Sequence, residues 1–117
     1  MSNSDKRKHA RYDTLNLFYI TVLDGETVVH QGMGRTLNVS ESGILLETRF
    51  SVKANSQVAL SIGFEEEILE IQGQAVYCKP GDESIHETGV SFSSLEDRTR
   101  SILLNYIKAF QSQHTET

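Results

Sequence analysis

Residues 57–77 read Gln-Val-Ala-Leu-Ser-Ile-Gly-Phe-Glu-Glu-Glu-Ile-Leu-Glu-Ile-Gln-Gly-Gln-Ala-Val-Tyr. Val58, Leu60, Ile62 and Phe64 alternate with small or polar residues, the period of two that turns one face of a strand toward a core. After an acidic turn at Glu65–Glu67, the alternation resumes with Leu69, Ile71, Gly73, Ala75 and Tyr77 on one face. Two alternating runs joined by a short polar turn predict neighbouring antiparallel strands. The fold then depends on how often this unit recurs on either side.

Upstream it recurs three times. Residues 15–23, Leu-Asn-Leu-Phe-Tyr-Ile-Thr-Val-Leu, are rich in β-branched and aromatic side chains, as strands are. Asp24-Gly25 follows as a tight-turn signal, and 27–37 returns as the hairpin partner. Gly32 and Gly34 predict a bulge or bend in that partner. Ile44, Leu46 and Phe50 share one face of a third strand. Downstream, Pro80-Gly81-Asp82 breaks the chain, and Thr88, Val90 and Phe92 alternate in a sixth strand. The period then changes. Leu95, Ile102, Leu103, Tyr106, Ile107 and Phe110 are spaced by threes and fours, which predicts an amphipathic helix. Ser94 with Asp97, or Ser93 with Glu96, supplies a capping pair for it. Residues 111–117 read as a frayed end. Six short strands and one helix predict an all-β domain with a C-terminal helix, a six-stranded antiparallel β-barrel with the helix packed on it. The first strand is apolar on both faces, Leu15, Leu17 and Tyr19 against Phe18, Ile20 and Val22. One face is expected to fill the barrel and the other to meet the helix.

A chain of 117 residues suits one domain and can bury a core without metal or disulfide. Cys78 is the single cysteine, so no internal disulfide forms and the expected compartment is reducing, hence cytoplasmic. Apolar runs such as Ile44-Leu45-Leu46 are too short to span a bilayer, and the polar N-terminus lacks the apolar stretch of a signal peptide. The formal charge of -5 argues against general affinity for nucleic acid backbones. Its distribution is uneven. Residues 1–11 carry Lys6, Arg7, Lys8 and Arg11 against Asp5, whereas the remainder sums to -8. This basic segment is open to three readings: a solvated tail, a polybasic arm, or a local anion site completed from elsewhere in the chain.

The search for catalysis is thin. There is no phosphate-binding Gly-rich loop and no Gly-x-Ser-x-Gly elbow. His9, His30, His86 and His114 show no paired metal-ligand spacing with Cys78, and the Glu65–Glu67 run reads as solvated charge. Cys78, late in a strand, reads as structural. The expectation is a protein that is not an enzyme and holds no metal or cofactor.

Two spacings remain. Arg7-Lys8-His9-Ala10-Arg11 is an Arg-x-x-x-Arg, and Asn38-Val39-Ser40-Glu41-Ser42-Gly43 is an Asn-x-Ser-x-x-Gly between two strand patterns. Taken alone, the second is also a turn, with Asn and Ser bonding the backbone and Gly supplying positive φ. In this order on this strand pattern, the pair resembles the PilZ domain, a bacterial receptor module for cyclic di-GMP. Glu87-Thr88-Gly89-Val90-Ser91-Phe92 extends the likeness, similar to the family's Gly-hydrophobic-x-Phe strand, so that it covers about residues 6–110. The resemblance implies a basic N-terminal segment at 1–12, a barrel with its helix at 13–110, and a tail at 111–117.

It also implies a ligand site of Arg7, Arg11, Asn38, Ser40 and Gly43, with Lys6 and Lys8 as electrostatic support. An arginine fork chelates phosphate oxygens or pairs with guanine O6 and N7, and its planar face stacks on a base. Asn38 stands where the family more often has Asp. A carboxylate accepts from both guanine N1–H and N2–H; an amide has one acceptor oxygen to offer. Ser40 is expected to bond base or phosphate, and Gly43 to let the backbone approach the ligand. Arg35 and Lys79 are further contacts or plain surface charges. A basic residue at Lys6 leans toward an intercalated ligand dimer. The partners implied are cyclic di-GMP and a separate effector protein of motility, pilus or exopolysaccharide machinery, without DNA and without membrane insertion. Two competitors stand beside this reading: a ligand-independent PilZ-like adaptor, and a small barrel binding single-stranded nucleic acid, which the acidity of residues 12–117 opposes.

Overall fold

The structure, a computed structural model, describes residues 17–115. Six strands, β1 (Leu17–Asp24), β2 (Thr27–Val39), β3 (Gly43–Thr48), β4 (Gln57–Phe64), β5 (Glu67–Pro80) and β6 (His86–Phe92), precede one helix, α1 (Asp97–Thr115). All pairings are antiparallel, in the closed order β1-β2-β3-β6-β5-β4, and β1 pairs with β4 to complete the ring. The expected six-stranded barrel with a C-terminal helix is the fold found.

Alternation builds the interior. Phe18, Ile20 and Val22 of β1, Ile44 and Leu46 of β3, Val58, Leu60 and Ile62 of β4, and Leu69, Ile71 and Ala75 of β5 are all buried. Together with Val52, Val90 and the helix residues Leu103, Tyr106, Ile107 and Phe110 they form one apolar cluster. The helix therefore enters the same core as the inward faces of the strands. Tyr106 is fully buried, meets Phe64 edge-on at 5.7 Å, and donates its hydroxyl to Thr36 Oγ1 at 3.3 Å. This overturns one expectation: Leu17 and Tyr19, on the outward face of β1, do not serve the helix and are exposed.

The tight turns fall where the sequence placed them. Gly25 takes φ 65 between β1 and β2. In the β5–β6 connection, Glu83 and Ser84 both have positive φ, and Ile85 N–H donates to Asp82 O at 2.9 Å. β2 is bulged as expected, but at Val29, where the register against β1 shifts; Gly32 and Gly34 themselves sit in regular rungs opposite Ile20 and Phe18. Gly34 is needed for a different reason, since a Cβ there would lie 2.5 Å from the Phe18 ring and 2.6 Å from Glu47 O. Phe50 lies beyond the end of β3, its ring stacked on His30 at 4.7 Å. The helix runs on to Thr115, past the frayed end read at 111, because Gln111-Ser112-Gln113 includes neither Gly nor Pro to stop it.

Candidate functional site

Two bulges decide what reaches the outer surface. On β2, the register against β3 shifts between Thr36 and Asn38; on β5, the register against β6 shifts between Ala75 and Tyr77. An extra residue in a strand reverses the facing of everything after it. Thr36 and Val39 both point inward and are buried, so Asn38 is turned out to solvent. Ala75 is buried, and Tyr77, which uninterrupted alternation would bury as well, is 45% exposed.

The two re-aimed residues belong to one row. Asn38 pairs with Leu45, Leu45 with Gly89, and Gly89 with Tyr77, across β2, β3, β6 and β5. Gly89 leaves the row hollow, and the Tyr77 ring leans over it, so close that a Cβ on Gly89 would lie 2.6 Å from the ring. The next outward rung is Gly43–Ser91. Around these rungs lies an open groove of about 340 Å³, lined by Asn38, Val39, Ser40, Ser42, Gly43, Ile44, Leu45, Val76, Tyr77, Gly89, Val90 and Ser91. None of its lining residues is charged.

The link between β2 and β3 fixes one wall. Ser40 N–H donates to Gly43 O at 2.8 Å and closes the turn, while Ser42 N–H reaches Ser40 Oγ at 3.3 Å. Asn38 Oδ1 accepts from Val39 N–H at 2.9 Å. Gly43 has no positive φ, so the turn requirement that the sequence left open is absent. Its constraint is steric: a Cβ would sit 2.5 Å from Val90 O on the adjoining strand. Arg35 and Lys79 face their cross-strand partners, Glu47 at 2.8 Å and Glu87 at 3.8 Å, so these cations are already paired on the surface. Arg7, Arg11, Lys6 and Lys8 lie outside the described residues. Thus the structure brings Asn38, Ser40 and Gly43 together on one wall and adds Tyr77, which sequence reading assigned to the buried face.

Cys78 accepts from Val52 N–H at 3.4 Å and from the Thr88 hydroxyl at 3.5 Å, the environment of a structural thiol. Among the described residues no cluster of three or more His, Cys, Asp or Glu could hold a metal ion, and no helix is long and apolar enough to cross a membrane.

Comparison with known proteins meets this geometry. The PilZ domain family matches residues 5–109. The chain belongs to the PilZ family. A search of curated proteins gave no match. Among solved structures, this PilZ domain is similar to the Bacillus subtilis inhibitor of motility, MotI/DgrA, with a TM-score of 0.58 and 16% identity over 86% of this chain. The PilZ chain described here spans 49% of that protein, and at this identity the likeness is one of fold. The family is one of cyclic di-GMP-binding and adaptor proteins, not enzymes.

Proposed function

We propose that this PilZ domain is a cyclic di-GMP receptor, with the ligand lying in the groove between Asn38 and Tyr77. The observation that supports it best is the gathering of Asn38, Ser40 and Gly43, the whole second motif, on one wall of an open groove whose far wall is an exposed aromatic ring. A phenol beside a hollow row offers a stacking surface for a base, while hydroxyl, amide and backbone N–H groups supply directional bonds.

The uncharged lining gives the arginines their task. Two phosphates in a groove without a cation require positive charge from elsewhere, and Arg35 and Lys79 are engaged with glutamates. Arg7 and Arg11, supported by Lys6 and Lys8, meet that requirement. The tether is long enough. Arg11 precedes Leu17 by six residues, at most about 21 Å of extended chain. Leu17 is the rung partner of Arg35, three residues before Asn38 on β2. Binding brings residues 6–12 across the groove and presents a new surface to a separate effector protein.

Calorimetric titration with cyclic di-GMP, with cyclic di-AMP and GTP as controls, tests this reading. Saturable heat restricted to cyclic di-GMP is the expected result, and the stoichiometry distinguishes one ligand from an intercalated pair. Arg7→Ala and Arg11→Ala are each expected to weaken binding by at least ~1.5 kcal/mol, the low end for a charge-assisted bond. Absence of heat from the wild type, with unchanged amide shifts at Asn38–Gly43, overturns the receptor reading in favour of a ligand-independent adaptor.

A further inference from the structure

The ring of the barrel is closed over only part of β2. Its C-terminal part pairs with β3 from Arg35 onward, whereas residues 27–34 pair with β1 alone. The cause lies just past the end of β3. Thr48 Oγ1 donates to Phe50 O at 2.8 Å, and the chain turns inward, stacking Phe50 on His30 and burying Val52. Among the described residues no strand takes the place β3 has left, so about 26 Å of β2 has one edge without a ladder. Such edges are ordinarily blunted by lysine, proline, a bulge or an inward charge. Thr-Val-Val-His-Gln-Gly-Met-Gly holds no Lys, Arg, Asp, Glu or Pro, in a chain whose residues 12–117 sum to -8. The bulge at Val29 is its one irregularity.

This stretch is complementary to itself when run antiparallel. Glu26 precedes it and Arg35 follows it, so an antiparallel copy sets acid beside base at both ends, where a parallel copy would set like beside like. The facing agrees as well. Gln31 and Met33 lie opposite Thr21 and Tyr19 on the outer face, while His30, Gly32 and Gly34 lie opposite the buried Val22, Ile20 and Phe18. A two-fold axis at Gln31 places His30 against Gly32 of a second copy, the Val28–Val29 bulge against Met33, and Glu26 against Arg35. The extra residue of the bulge is what brings that last pair level. Val28 and Met33, 48% and 55% exposed in the single chain, then cover one another. We propose that residues 27–34 pair with the same residues of a second copy about this axis, giving an isologous dimer joined through the sheet. Asn38 lies seven residues further along β2, about 23 Å from the axis. Pairing therefore leaves both grooves open, and the inference stands independently of the receptor reading.

The test is sedimentation velocity on the full chain from micromolar to near-millimolar concentration, with hydrogen exchange of the 27–34 amides read alongside. The wild type is expected to dimerise as concentration rises, those amides slowing in step. Gln31→Lys and Gln31→Glu change an exposed side chain, and thermal melts check each fold. Each variant alone sets like charges on the axis and is expected to raise the dimer dissociation constant about fivefold, the upper range for a cross-strand charge pair. Mixed in equal amounts, the two set Lys against Glu and are expected to regain wild-type affinity or better. A wild type that stays monomeric throughout overturns the inference; slow 27–34 amides in that monomer would give the edge to residues 1–16 of its own chain instead. A dimer that both variants retain unweakened, or that their mixture fails to restore, overturns it too, by placing the interface elsewhere.

Discussion

Replacing Gly43 by alanine separates the demands of the barrel from those of the ligand. The added Cβ would stand 2.5 Å from Val90 O, about 0.9 Å short of the 3.4 Å at which ordinary contact begins. The obstacle is the backbone of β6, held beside β3 by the Ile44–Val90 and Gly43–Ser91 rungs, so no rotamer change clears it. The strands must part at the end of their ladder, where Phe92 N–H also donates to Ser42 O at 2.9 Å. Overpacking of this kind costs about 1–3 kcal/mol, and for a domain of this size the melting temperature should fall by about 4–12 °C. Gly63→Ala is the matched control. It too lies in a strand without positive φ, but its Cβ would have no heavy atom within 4 Å. Restricting the unfolded chain should make that variant neutral or more stable by up to about 1 kcal/mol. Thermal and urea unfolding followed by circular dichroism measures both. If Gly43→Ala melts within about 1 °C of the wild type, or if both variants fall alike, the steric account of Gly43 is refuted.

Tyr77→Ala should reduce cyclic di-GMP affinity by about 1–3 kcal/mol, the range for loss of base–aromatic stacking, with little change in melting because the ring is half exposed; calorimetry and a melt together check this. Burial pushes the Tyr106 hydroxyl above its ordinary value of 10.0, the Thr36 bond working in the lesser, opposite direction. Above about pH 10 the unfolded chain loses this proton while the folded one keeps it, so stability must fall as pH rises. Melting temperatures between pH 8 and pH 11 should show a decline that is shallower in Tyr106→Phe; parallel declines would refute it. Cys78→Val leaves Val52 N–H without its sulfur acceptor and is expected to destabilise by about 1–3 kcal/mol in urea unfolding, whereas Cys78→Ser, which keeps an acceptor, should lose less.

Strand number, turn positions and the helix were legible because each follows from local pattern: period two in Val58–Phe64, Asp24-Gly25 at a hairpin, threes and fours from Leu103 to Phe110. The motif Asn38, Ser40 and Gly43 was legible as a loop signature. The facing of Tyr77 was not. In Ala75-Val76-Tyr77 apolar character continues in either phase, so the bulge leaves no trace in the pattern, and a one-residue shift is enough to move a ring from core to surface. Glycine misled in the same way. Gly32 and Gly34 signalled the irregularity of β2 but not its place: the bulges fall at Val29 and between Thr36 and Asn38, and the need at Gly34 comes from Phe18 and Glu47, residues distant in sequence. The groove itself joins positions 38, 45, 89 and 77, a row that exists only once four strands are in register.

Closure of the ring through β1 and β4 has a consequence for how a message leaves the molecule. Each strand is flanked on both sides for part of its length, so among the described residues no strand is an open edge from end to end. Partners that recognise by strand addition find only partial stretches, such as residues 27–34 of β2, which pair with β1 alone. An effector that docks on the paired walls of the barrel judges side chains and whatever lies against them. A nucleotide resting on the outer wall, rather than swallowed inside the barrel, would then itself be part of the face that is judged, a removable tile in the contact surface.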